Sequence, residues 1–115
     1  EIYTSDQGYF TGEHGWSDKR LMYEPSLAIP LAFRYPYQIK NGIRHQTMVQ
    51  NVDLAPTILD YAGVDIPVDM QGESLVKILN SEEGNVRDAI YYHYYQSTGW
   101  HTVPKHLGVR TARYK

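Results

Sequence analysis

Residues 3–20 read YTSDQGYFTGEHGWSDKR. The β-forming run from Ile2 to Ser5 enters a glycine-punctuated loop at Asp6, the pattern of a strand that ends where a polar cluster begins. That cluster holds Asp6, Gln7, Glu13, His14, Asp18, Lys19 and Arg20, broken by Gly8, Gly12 and Gly15. In an α/β sheet, ligands sit in the loops that leave the carboxyl ends of strands. Asp6 offers a carboxylate and Gln7 an amide carbonyl, both hard oxygen donors of the kind that bind calcium or magnesium. Neighbours on a regular strand point to opposite faces, so both reach one ion only if the backbone twists as the strand ends, a twist Gly8 is expected to permit. Lys19 and Arg20, beyond the glycine turns, can fold back and set positive charge against an anionic oxygen group. A cation beside an ammonium suits the charge that builds on a sulfuryl or phosphoryl transition state. Asp6 and Gln7 equally suit a turn, and His14 beside Glu13 a hydrogen-bonded loop, so residue types alone leave both readings open.

The totals narrow the classes. A chain of 115 residues, 42% hydrophobic, is long and apolar enough to fold around a core rather than stay disordered. A formal charge of −2 with interspersed signs argues against nucleic acid or an anionic membrane surface as partner. Without cysteine there is no disulfide, thiolate metal site or cysteine nucleophile in these residues. No apolar run approaches a membrane span. Tyrosine is abundant, 11 in all, and Tyr91, Tyr92, Tyr94 and Tyr95 are nearly consecutive. Such amphipathic rings fit half-buried strands and sugar-binding rims alike.

Outward from the polar segment, RLMYEPSLAI reads as a short helix or turn interrupted at Pro25, and PLAFRYP as a buried strand between prolines. Asn41–Gly42 is a turn pair. NVDLAPTILDYAG is the clearest helix, capped by Asp53, with Leu54, Ile58, Leu59 and Ala62 as its apolar face and Gly63 as its stop. A second helix is expected from about Glu73 to Leu79, with Leu75, Val76, Ile78 and Leu79 as its apolar side. From about Arg87 the pattern changes: AIYYHYY and GVRTARYK have strand composition, the last strand running to Lys115. The fold class is α/β, expected to divide into residues 1–86, carrying part of the α/β layer, and 87–115, opening a small antiparallel sheet. The chain reads as starting inside a strand and stopping without a closing element, so a larger protein is expected around it.

Taken together, YTSDQGYFTGEHGWSDKRLMYEPSLAIPLAFRYP, MVQNVDLAPTILDYAGVDIPVDMQGESLVKIL and RDAIYYHYYQSTGWHTVPKHLGVRTARYK closely resemble the C-terminal portion of type I, formylglycine-dependent sulfatases of the alkaline phosphatase superfamily. The likeness is to bacterial glycan sulfatases in particular, and covers almost the whole chain. It implies an alkaline phosphatase-like sulfatase fold. It assigns one Ca2+ to Asp6 and Gln7, the sulfate-contacting catalytic lysine to Lys19, and a structural cap to Asp53. His93, His101, Lys105, His106 and Arg110 fall in a region similar to one where glycan contacts occur, and His106 is the preferred substrate-binding candidate. The implied reaction is hydrolysis of a sulfate ester on a sulfated carbohydrate by a formylglycine hydrate. That nucleophile's C/S-x-P-x-R motif is absent here, so it and the other metal ligands are expected in an N-terminal part of the same protein, and these residues alone are expected to be inactive. Periplasmic or secreted residence follows from the resemblance only.

Two other readings share the same residues. A phosphonate or phosphodiester hydrolase of the same superfamily uses a similar acid, polar ligand and lysine, and one architecture hosts several chemistries. A non-catalytic glycan-binding relative is the third. The tyrosine run suits alternating sheet packing better than a sugar platform.

Overall fold

The computed structural model describes residues 1–40, 42–81, 84–96, 99 and 102–115. They form two compact units, residues 1–33 with 89–115, and residues 34–88. Asn41 of the turn pair, and Trp100 and His101, lie outside the described residues.

In the first unit, strand β1 (Ile2–Thr4) ends just before Asp6. Next come β2 (Phe10–Thr11) and β3 (Ser17–Asp18), an antiparallel hairpin around a 3-10 turn at Glu13–Gly15. The hairpin was not anticipated: two-residue strands carry no alternation long enough to read. It closes because Gly12 takes φ 126°, open to glycine, and donates to the Trp16 carbonyl at 3.0 Å. Phe10, 1% exposed, is the apolar anchor of this segment and meets the rings of Trp16 and Tyr23 edge-on at 5.7 and 6.2 Å. Helix α1 (Glu24–Leu27) is one turn. Pro25 lies in its first turn, where no N–H is needed, so it starts the helix rather than interrupting it.

Strand β4 (Leu31–Phe33) returns antiparallel to β1, with Tyr3 opposite Ala32. It is half-buried, not buried as its prolines suggested. Strands β5 (Ala89–Tyr94) and β6 (His106–Thr111) pair antiparallel, Tyr92 opposite Gly108 and Tyr94 opposite His106. Strand β6 stops at Thr111 instead of continuing to Lys115, because Thr111 turns to bond Tyr114 through both its main chain and its hydroxyl. One face of this sheet grips residues 20–24: the Tyr92 hydroxyl donates to the Arg20 carbonyl at 3.2 Å, and Arg110 and Lys115 both bond Glu24. Burial raises the Tyr92 phenol above its ordinary range, so it remains a proton donor at neutral pH.

The second unit is built on α2 (Leu54–Tyr61) and α3 (Val76–Asn80). Gly63 at φ 69° ends the first as expected. The buried side of α2 is not the expected Leu54, Ile58, Leu59 and Ala62 stripe: Ile58 is 52% exposed, while Pro56, Thr57 and Asp53 are buried. Polar bonds choose this face. The Thr57 hydroxyl donates to the Asp53 carbonyl and accepts the Leu75 N–H at 2.9 Å, which places Leu75, 1% exposed, at the start of α3. Leu75 and Ile78 are the buried apolar residues, each stabilising by about 1.5–3 kcal/mol.

Gly72 holds this arrangement together by having no side chain. A Cβ there would lie 2.0 Å from the Val52 carbonyl oxygen, a backbone atom that cannot step aside. Gly72→Ala is therefore expected to lower stability by about 1–3 kcal/mol, read as loss of hydrogen-exchange protection at α2 amides in the full-length protein. Unchanged protection would contradict the close approach.

Candidate active site

The strand-end segment separates into groups that build the loop and groups left over for chemistry. Glu13 builds it: its carboxylate accepts the Thr11 N–H at 2.6 Å, and its own and the Thr11 backbone N–H groups hold its carboxyl below the usual range. His14, at φ 57°, sets its ring 5.1 Å from Tyr23 and 5.8 Å from Trp16. Asp18 builds it too. Its carboxylate accepts the Lys19 N–H at 2.8 Å and pairs with Arg20, while its backbone sits at φ 127°, a region costing an L-residue about 1–3 kcal/mol. Strain of this kind persists only where surrounding bonds enforce it.

Lys19 is different. Its main chain is held on both sides, the N–H by Asp18 and the carbonyl by the Ser26 hydroxyl at 2.7 Å. Its side chain is exposed and its ammonium has no hydrogen-bond or ion-pair partner among the described residues. A fixed backbone with an uncommitted ammonium is what contact with an anionic group requires.

Asp6 and Gln7 follow β1 directly. The Ser5 hydroxyl donates to the Gln7 main-chain carbonyl at 2.9 Å and lies 3.4 Å from the Asp6 carboxylate, so the chain turns tightly there. Gly8 is needed at this turn, but not for the twist expected of it, since its φ is not among the positive ones. A Cβ on Gly8 would come 2.1 Å from the Pro25 carbonyl and 2.9 Å from that of Ala28. Absence of a side chain lets the turn lie against the α1 backbone, where the Gly8 N–H donates to the Ser26 carbonyl at 3.0 Å.

His106 lies in β6 on the face that meets residues 20–24. Its ring is 5.4 Å from those of both Tyr92 and Tyr94. Its Nδ1 is 2.9 Å from the Pro104 carbonyl, which can only accept, so Nδ1 donates there. Its Nε2 is buried and unpartnered among the described residues. Of the other candidates, Arg110 is committed to Glu24 at 2.8 Å and His93 stacks on Tyr95 at 3.7 Å, both sheet-building roles.

The four sequence-read residues therefore occur in one unit, connected in series. Gln7 adjoins Gly8, Gly8 bonds Ser26, Ser26 bonds Lys19, the Arg20 carbonyl accepts from Tyr92, and Tyr92 packs on His106. Residue types could not reveal Ser26, Asp18 or Tyr92, because each acts through contacts made in three dimensions. Among the described residues no group of three or more His, Cys, Asp or Glu side chains could hold a metal ion. The Asp6 and Gln7 oxygens do fit a hard cation by donor type, but supply only part of the six to eight ligands calcium takes.

Acidic and amide oxygens at a strand end, with a lysine in the same unit, are residue types compatible with sulfuryl or phosphoryl chemistry at a metal ion. The chain belongs to the sulfatases: residues 12–115 match the family described as N-sulphoglucosamine sulphohydrolase, C-terminal. It is 50% identical, over 99% of its length, to the N-acetylglucosamine-6-O-sulfatase of Bacteroides thetaiotaomicron, of which it covers 21%. An extracellular sulfatase SULF-1 homolog of Drosophila melanogaster is 39% identical over 76% of the chain, which covers 8% of that protein. A solved structure of a protein in complex with its substrate D-glucosamine-2-N,6-O-disulfate superposes with a TM-score of 0.90 at 51% identity, over 96% of this chain and 23% of that one. The fold is thus the C-terminal part of the sulfatase α/β fold, and the chain spans about a fifth of the bacterial relative's length. No described helix is long and apolar enough to cross a membrane.

Proposed function

We propose that the chain supplies one side of the active site of a calcium-dependent sulfatase acting on a sulfated carbohydrate, with a 6-O-sulfated glucosamine as the substrate class. The supporting observation is Lys19: the uncommitted ammonium of the polar segment, on a backbone bonded through Ser26 to the turn that follows Asp6 and Gln7. Its positive charge, placed at a sulfate oxygen, stabilises the negative charge that grows as the S–O bond breaks. Asp6 and Gln7 hold one side of the calcium ion, which when bound acts as a Lewis acid toward the sulfate oxygens. His106, packed against Tyr92 and Tyr94, is the candidate for contact with the sugar. The formylglycine nucleophile and remaining metal ligands belong to parts of the protein outside these residues. In this reading residues 1–86 belong to the α/β domain and 87–115 open the C-terminal sheet, and the enzyme works in the periplasm or outside the cell, in keeping with the resemblance to glycan-degrading sulfatases.

Chelation of the full-length protein is expected to abolish hydrolysis of N-acetylglucosamine-6-O-sulfate, and added calcium to restore it. In Asp6→Ala, calorimetric titration should show calcium affinity weakened by about 100-fold. Wild-type calcium affinity in that variant would remove Asp6 from the metal site. Turnover of a phosphodiester such as bis(4-nitrophenyl) phosphate in preference to the sulfate ester would overturn the sulfatase reading. Retained glycan binding without any turnover would point instead to a non-catalytic relative.

A further inference from the structure

We propose that Ser26 is a positioning residue that fixes Lys19 relative to the Asp6–Gln7 turn. The inference rests on the catalytic reading of Lys19 given above. Ser26 is buried, 6% exposed, in the single turn of α1, where its own N–H donates to the Tyr23 carbonyl at 2.9 Å. It reaches both halves of the site with different groups. Its main-chain carbonyl accepts the Gly8 N–H at 3.0 Å, and its hydroxyl donates to the Lys19 carbonyl at 2.7 Å. One residue thus sets the spacing of two segments that lie on opposite sides of the β2–β3 hairpin in the chain. The Gly8 contact is tight enough to forbid a side chain, so the turn after Gln7 cannot drift from α1. On the Lys19 side the holding is less redundant. The carbonyl depends on the Ser26 hydroxyl, and the N–H on Asp18, whose backbone at φ 127° is itself out of its preferred region. Release of the Ser26 bond allows Asp18 to relax and carry the Lys19 Cα with it. A displacement near 1 Å at a catalytic group costs about 10²-fold in rate.

The division of labour makes the idea testable, because alanine at position 26 keeps the main-chain bond to Gly8 and removes only the hydroxyl bond to Lys19. In the full-length protein, Ser26→Ala is expected to lower kcat on N-acetylglucosamine-6-O-sulfate by about 10- to 100-fold, with calcium affinity by calorimetry unchanged. Ser26→Ala combined with Lys19→Ala should be no slower than Lys19→Ala alone, since a residue that acts through the lysine has nothing to lose once the lysine is gone. Multiplied losses in the double variant, or wild-type kcat in Ser26→Ala, would overturn the proposal. Should Ser26→Ala not fold, Asp18→Gly provides the second entry. It relieves the strained backbone while removing the other Lys19 anchor, and the same non-additivity with Lys19→Ala is expected. Here too, multiplied losses count against the inference. An undiminished kcat in Lys19→Ala by itself defeats the catalytic reading of Lys19, a result distinct from additivity in the cycle.

Discussion

Lys19→Ala in the full-length enzyme is expected to reduce kcat on N-acetylglucosamine-6-O-sulfate by about 10²–10³-fold, some 2.7–4 kcal/mol of transition-state stabilisation. The effect belongs mainly in kcat, because charge on the departing oxygen is far greater in the transition state than in bound substrate. Arg20 is the natural control. It has the same charge and stands next in the chain, but its guanidinium is paired with Asp18 and its carbonyl accepts the Tyr92 hydroxyl. Losing such a partly exposed pair costs about 0–1 kcal/mol, so Arg20→Ala should remain far more active than Lys19→Ala. Lys19→Arg is not expected to rescue, since a planar, delocalised fork does not place a point charge where an ammonium was. Steady-state kinetics of the three variants decides the matter. A loss confined to KM would make Lys19 a binding group without a part in the chemistry.

The second large effect concerns stability. Asp53 is fully buried and its carboxylate is bonded by four donors: both Arg87 guanidinium nitrogens at 2.6 Å, the Gln50 N–H at 2.7 Å and the Glu73 N–H at 2.9 Å. Burial alone would raise its carboxyl, but the Arg87 bonds, with those from Glu73 and Gln50, more than offset it, and the group is held below its usual 3.8. Asp53 thus stands at the N-cap position of α2, as expected, but its side chain makes no cap bond to that helix; it closes a capping box with Gln50 at the 3-10 turn Asn51–Asp53 and anchors Arg87. Either Asp53→Ala or Arg87→Ala breaks a buried pair from one side and is expected to cost about 3–5 kcal/mol. Replacing both by apolar residues should recover only part of this. Two backbone N–H groups, of Gln50 and Glu73, would still lose their acceptor, at about 1–3 kcal/mol each.

The pH dependence has a definite sign. With its folded pKa depressed, the carboxylate's contribution is complete above the unfolded-chain value of about 3.9 and is lost as pH falls through the lower folded value. Protection of α2 amides in the full-length protein should therefore differ strongly between wild type and Arg87→Ala at neutral pH, and the gap should narrow in acid. An equal difference at both pH values would show that the Arg87 side chain acts by packing rather than by charge.

Local chemistry was legible where it repeats within a few residues. The strand end just before Asp6, the helix stopped by Gly63 and the aromatic strand at 89–94 all come from short-range patterns. Long-range pairing was not legible. Arg87 stands 34 positions from Asp53, and nothing in a sequence marks which distant carboxylate a guanidinium will find. The apolar stripe of α2 misled for a related reason: Ile58 satisfies helical periodicity, but Thr57 makes the two buried hydrogen bonds that settle which side turns inward. Gly8 was read as permitting a twist; in the structure its φ is not positive, and close approach to the Pro25 carbonyl is what excludes a side chain there.

By itself the sequence determined the inventory: which side chains can bind a cation or an anionic oxygen, where a strand stops, and which family the segment resembles, because these depend on residue type and short spacing. Only the tertiary structure decided which of seven polar groups are spent on the loop, and that Ser26 and Asp18 hold the remaining lysine in place. Hydrogen bonds between segments far apart in the chain exist only once both backbones have been brought within about 3 Å of each other.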